Sequence, residues 1–119
     1  MHSARFPHHR LLAYTLALDL AVSAREILDR IPRGYRSLAD QLLRSSTGVV
    51  LLTAEGANRY TAAQKRQRFA EARGECGEAA ATVEVLHSLK LMSQAEADEF
   101  QAAASRVAAL LTGLVRRFA

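Results

Sequence analysis

Residues 41–78 read QLLRSSTGVVLLTAEGANRYTAAQKRQRFAEARGECGE, and the fold turns on how the first half of that stretch is taken. Alone, Gly48-Val49-Val50-Leu51-Leu52-Thr53 has the continuous, β-branched composition of a buried strand. Upstream, however, Asp40, Gln41 and Arg44 recur at helical spacing, and no turn residue separates them from the run. The helical reading wins. It predicts a helix from Arg36 or Ser37, with Leu38, Leu42, Ser45, Val49 and Leu52 facing inward, ending at Ala54-Glu55-Gly56. A short link, Ala57 to Tyr60, then feeds a basic helix, and Glu55-Gly56 reads as a hinge between the two.

One consequence concerns assembly. Leu51 comes round to nearly the same side as Asp40 and Arg44, so apolar side chains surround this turn of helix. A helix apolar all round is covered on more than one side. In so short a chain a second subunit is the expected cover, with Val50 and Leu51 as the interface candidates.

Working outward, the preceding segment has a 3.6-residue period from His8 to about Ile31. Leu16, Leu20, Ala24, Ile27 and Ile31 share one face, widened by Leu11, Leu18 and Val22. Pro32 and Gly34 stop that helix. Downstream, Thr61-Ala62-Ala63-Gln64 and Ser93-Gln94-Ala95-Glu96 are capping boxes that open two more helices. The third runs to about Leu89 with Phe69, Ala72, Cys76, Ala79, Val83 and Leu86 inward. Gly74 and Gly77 inside it suggest close approach of a neighbouring helix. The fourth carries Phe100, Ala104, Val107, Leu111, Leu114 and Phe118 inward and ends on Arg116-Arg117, where cations suit the helix dipole.

Four helices with short links predict an all-α, up-down-up-down four-helix bundle that assembles as an oligomer. The 119 residues form one domain, with Met1 to Pro7 a loose basic lead-in. Half the residues are apolar, which excludes a disordered chain, and the few Pro and Gly favour helices. The basic start, the apolar Leu11–Leu18 and Val22-Ser23-Ala24 mimic a secretion signal, but the helical period runs straight through the apparent cleavage site. With no apolar run long enough to span a bilayer, a cytoplasmic protein without membrane contact is expected.

Chemistry is thinly represented. The single Cys76 excludes an internal disulfide and a cysteine-based zinc site, and reads as a small core residue. Glu84-x-x-His87 has the spacing of di-iron bundles but occurs once, without the further inward carboxylates that such sites need, so neither metal nor cofactor is expected. Glu71, Glu75 and Glu78 share a face and read as solvated partners of Arg68 rather than an acid–base pair. No catalytic constellation assembles from spacing alone, and a non-enzyme is expected.

The densest charge is Arg59, Lys65, Arg66, Arg68 and Arg73, which against Glu71 give residues 59–73 a net +4, equal to that of the whole chain. Together with Arg44 these are the candidate nucleic-acid contacts. Arg66 and Arg73 share a face along which phosphates could align. The bland reading, a solvated face whose arginines pair with glutamates, stays open beside it. The cluster is read without interleaved aromatics, so base stacking is not expected of it.

In the order and spacing of these motifs the chain resembles a family of small bacterial four-helix bundle proteins, the intervening-sequence or S23-type proteins. Some are encoded within inserts in large-subunit ribosomal RNA genes, and the accessory variability proteins of diversity-generating retroelements are their relatives. The family pattern is Gln-x-x-Arg on the second helix, Ser-Ile-x-x-Asn-Ile-Ala-Glu-Gly at its end, and Phe followed by Ala-Arg-Gly-Ser-x-x-Glu on the third. Gln41 and Arg44 match it, as do Ala54, Glu55 and Gly56, then Phe69, Ala72, Arg73, Gly74 and Glu78. Gly48, Leu52 and Glu75 depart from it, standing where the family has Ser, Asn and Ser.

The resemblance implies a non-enzymatic bundle that forms a homopentamer around a central channel. In the retroelement relatives, such a bundle binds a reverse transcriptase and nucleic acid through basic surface. The expected partners are therefore further copies of the chain, RNA or DNA, and a nucleic-acid enzyme such as a reverse transcriptase. The alternative is a protein-interaction module whose arginines make intersubunit salt bridges.

Overall fold

The computed structural model describes residues 4–119, so the first three residues of the expected lead-in lie outside the described residues. Its helices are α1 (Leu12–Arg30), α2 (Arg36–Asn58), α3 (Ala62–Ser88) and α4 (Gln94–Arg117), with single 3-10 turns at Pro7–Arg10 and Arg33–Tyr35. No strand occurs among the described residues, and the valine-rich run of α2 is helical throughout. Each helix packs against the next, and α1 also packs against α4, closing an antiparallel bundle.

The boundaries follow from local chemistry. Thr61 accepts from the Gln64 amide at 3.1 Å, and Ser93 likewise from Glu96 at 3.1 Å, completing both expected capping boxes. At the second, hydrogen bonds from the Ser93 backbone hold the Glu96 carboxyl below its ordinary range. Ile31, ahead of Pro32, is extended (φ −82°, ψ 130°), as a residue before proline prefers. α3 closes differently: Lys90 takes a left-handed φ of 63°, its N–H reaches His87 O, and Leu91 N–H reaches Leu86 O. That pair of bonds is a Schellman motif with lysine where glycine is usual.

The core is drawn from all four helices. Every inward position expected on α3, from Phe69 to Leu86, is buried, as are Leu20, Ala24 and Ile27 of α1 and Phe100, Ala104, Val107 and Leu111 of α4. Cys76 is among them; burial raises its thiol pKa, consistent with a packing role.

Several details differ from the sequence reading. The described part of the lead-in is not loose: the amides of Arg5 and Phe6 donate to His9 Nδ1, and the 3-10 turn at Pro7–Arg10 packs on α2, so α1 begins four residues later than its periodicity suggests. Val22 does not widen the apolar face; it is 60 % exposed. Glu55-Gly56 is not a hinge, because α2 continues through it to Asn58. Gly74 and Gly77 do not admit a neighbouring helix, since nothing lies within 4 Å of where their Cβ atoms would be. Val50 is buried within its own chain, because α2 packs against both α1 and α3. That leaves Leu51, 63 % exposed, as the open side of the apolar turn.

Candidate functional site

Polar residues that carry the family resemblance meet along the α2–α3 seam. Arg44 of α2 reaches both carboxylate oxygens of Glu78 on α3 at 3.0 Å, and Gln41, one turn earlier, donates to the same carboxylate. Glu75, a turn along α3, lies 3.7 Å from Arg44. It is not the solvated residue that its spacing predicts. Its Oε2 is covered and makes no hydrogen bond among the described residues. Burial, then the neighbouring Glu78, raises the Glu75 pKa, with Arg44 opposing. Gly48 stands opposite, leaving room for this side chain.

Nearer the α2–α3 link, Arg68 donates to Glu71 at 2.7 Å, while its Nε lies 3.4 Å from Glu55 on α2 without hydrogen-bond alignment. Phe69 presses its ring against Gly56 and stacks on Phe118, the residue that caps α4, ring centroids 5.9 Å apart. These contacts tie helices together. Glu84 and His87 flank a groove with Asp98 of α4. Among the described residues, no three His, Cys, Asp or Glu side chains come close enough to share a metal ion.

The antiparallel topology sorts charge by end. The lead-in, the α2–α3 link and the end of α4 converge: Asn58 pairs with His8 at 2.8 Å, and Arg66 donates to the Phe118 carbonyl at 3.0 Å. Residues 4–14, 55–71 and 112–119 thereby bring eight Arg and Lys side chains to one end against only Glu55 and Glu71. At the other end, residues 25–40 and 84–99 hold seven carboxylates against five Arg and Lys. The bundle is 43 Å long, several Debye lengths at physiological salt, so a ligand at one end feels little of the other.

A sequence model of a family described as 23S rRNA-intervening sequence protein matches residues 9–113. The chain belongs to this family. A crystal structure of a protein of unknown function from the S23 ribosomal protein family of Bacteroides thetaiotaomicron superposes with a TM-score of 0.84 at 16 % identity, covering 88 % of this chain and 99 % of that one. At that identity the likeness shows the shared all-helical fold. No curated protein matches the chain.

In this intervening-sequence protein the six candidate contacts do not form one surface. Arg44 belongs to the mid-bundle cluster with Glu78, and Arg68 is held by Glu55 and Glu71. Arg73 spends its Nε on Thr112 Oγ1 at 2.6 Å. Lys65 donates to the Ala57 carbonyl at 2.8 Å, one of the unpaired carbonyls at the end of α2, and sits over the Phe118 ring. Arg66, with its bond to Phe118, completes the contacts to α4. Only Arg59 of the six is exposed and makes no hydrogen bond or ion pair among the described residues.

The structure adds residues that the sequence reading missed. Arg10 and Arg117 flank a cleft of about 230 Å³ at the basic end, floored by Leu11, Phe69, Leu114 and Phe118. Their proximity to Arg59 and Lys65 follows from the up-down order alone. The stretch also contains two aromatics after all. Phe69 is buried, but Tyr60, between Arg59 and Lys65, is 98 % exposed.

Proposed function

We propose that this intervening-sequence protein is a non-enzymatic, oligomeric scaffold that binds nucleic acid through the basic end of its bundle. The observation that carries this reading is the segregation of charge, which concentrates cations from three separate segments at one pole. Such a pole attracts a polyanion by counterion release without reading its sequence. The pairing of Glu75 and Glu78 with Arg44 supports a structural rather than a catalytic role for the acidic residues.

The oligomer is the second part of the proposal. Leu51 is a large apolar side chain left open at the middle of α2, on an exposed stripe whose other members, Asp40, Arg44, Thr47 and Glu55, are polar. A homopentamer, as the family resemblance implies, would cover it and multiply the basic poles, and a reverse transcriptase acting on the same nucleic acid is the enzyme partner that resemblance suggests.

Binding of labelled RNA and DNA, followed by anisotropy between 50 and 200 mM salt, tests the first part. Affinity is expected to fall steeply with salt, and Arg10→Glu, Arg59→Glu and Arg117→Glu together are expected to abolish it. Absence of binding at low salt, or indifference to the triple variant, overturns the reading. Light scattering tests the second: Leu51→Glu should reduce the particle to a monomer, and an unchanged mass sinks the interface.

A further inference from the structure

We infer that the α2–α3 link is a single-strand reader, in which Tyr60 stacks on an unpaired base while Arg59 contacts the adjoining phosphate. This rests on the nucleic-acid reading above and names the form of nucleic acid that the basic end prefers.

Tyr60 has the highest exposure of the large hydrophobic side chains described, at 98 %, although every other aromatic near it is engaged. Phe69 and Phe118 stack on each other, Arg117 covers Phe118 at 5.4 Å, and Phe6 lies 5.8 Å from the His8 ring. An aromatic ring left bare amid cations is a surface with stacking energy still to be realised.

The link that carries it is pinned at both ends. Asn58 bonds back to Ala54 O at 2.8 Å and across to His8, and Lys65 ties α3 to the Ala57 carbonyl. On the far side, Thr61 is extended (φ −92°, ψ 150°) and locked into its capping box with Gln64. Arg59 is extended as well (φ −77°, ψ 157°). Three residues between two fixed helix ends leave the backbone at Tyr60 little freedom to lose on binding.

Duplex RNA or DNA covers the faces of its bases, whereas a single strand presents them; every base has a π-face, so stacking tolerates any sequence. A protruding tyrosine with an uncommitted arginine beside it suits a splayed base and its phosphate. A duplex would engage the cations alone.

The test compares a labelled single-stranded 16-nucleotide RNA, its DNA equivalent and a 16-base-pair duplex at one low salt concentration. Tyr60→Ala should weaken both single strands roughly 5- to 150-fold, and Tyr60→Phe should restore them, while the duplex shifts less than about twofold. Because Tyr60 is almost wholly exposed, neither variant should alter the melting temperature. Equal loss on all three ligands, or no loss on any, overturns the stacking role while leaving the electrostatic reading intact. Failure of the unmodified protein to bind any of the three overturns both.

Discussion

A Cβ on Gly48 would stand 3.4 Å from both Cγ and Cδ of Glu75, so the carboxylate side chain of α3 lies against this bare stretch of α2 and leaves little room beyond a Cβ. Both positions depart from the family pattern, which has serine at each. In this chain the two positions face each other, with no side chain on one helix and a long carboxylate on the other. The longer side chain brings its charge beside Arg44 and Glu78, at the cost of a covered oxygen with no hydrogen bond.

Substitutions at the two positions should therefore be non-additive. Gly48→Ser alone crowds Glu75, and Glu75→Ser alone leaves a gap beside Gly48. The double variant relieves both. In urea melts the coupling between the two substitutions should favour the double variant by about 0.5 kcal/mol or more, the range for residues in contact. Simple additivity would mean that the two positions do not share the space.

Acidity gives a second prediction. Burial holds the Glu75 pKa above the ordinary carboxylate range, so the folded state binds this proton more tightly than the unfolded chain does. Stability from this group is complete below the ordinary carboxylate pKa, is lost as pH rises through the raised value, and changes no further above it. Glu75→Gln removes that loss. The variant should exceed the unmodified protein at pH 7 by about 1 kcal/mol, the scale of a buried polar group without a partner, and converge with it near pH 4. Urea titrations at the two pH values read the difference directly.

How much of this was written in the sequence depends on the range of the contact involved. The capping boxes at Thr61 and Ser93 and the inward stripe of α3 are local patterns, and they appear where periodicity and spacing place them. Gly56 was misread because its reason is distant: helix propensity argues for a break, whereas the Phe69 ring, thirteen residues away, needs the missing Cβ. Val50 failed for a similar cause, since one helix packed on two neighbours buries a wider arc than a surface helix does. The basic end needed only the up-down order, but charge was counted along the chain instead of across the bundle. Tyr60 stands in plain sight between Arg59 and Lys65, and only its exposure lies beyond the sequence, because exposure, unlike burial, leaves no periodic mark.

Gly56 of α2 should answer to alanine oppositely to Gly74 and Gly77 of α3. At Gly56 the new Cβ would lie 2.7 Å from two ring carbons of Phe69, which is 1 % exposed and cannot swing aside. Overpacking of this kind costs about 1–3 kcal/mol and outweighs the gain in helix propensity. Gly74→Ala and Gly77→Ala meet nothing within 4 Å, so each should stabilise by about 0.5–1 kcal/mol. Thermal melts of the three single variants decide the signs.

The end of α3 offers a simpler gain. Lys90 holds the left-handed position of the Schellman motif at φ 63°, where a Cβ is unfavourable. Lys90→Gly keeps both closing hydrogen bonds, which come from the backbone, and should raise stability by about 1 kcal/mol. Lys90→Val should lower it, since a β-branched side chain fits that conformation worst.

Arg59 and Arg68 separate holding the bundle together from binding a ligand. Arg68 stands between Glu55 on α2 and Glu71 on its own helix, and its side chain is only 31 % exposed. Arg68→Ala removes the cation that those two carboxylates share, and should lower the melting temperature slightly, as the loss of a partly exposed ion pair does. Its charge is already answered within the chain, so nucleic-acid affinity should fall little. Arg59 has no such partner and protrudes from the pinned link. Arg59→Ala should leave the melting temperature unchanged, yet reduce affinity and lower the slope of log K against log salt by about 0.7–0.9, the share of one phosphate contact. The reverse pattern, stability lost at Arg59 and binding lost at Arg68, would place the ligand along the α2–α3 seam instead of at the basic pole.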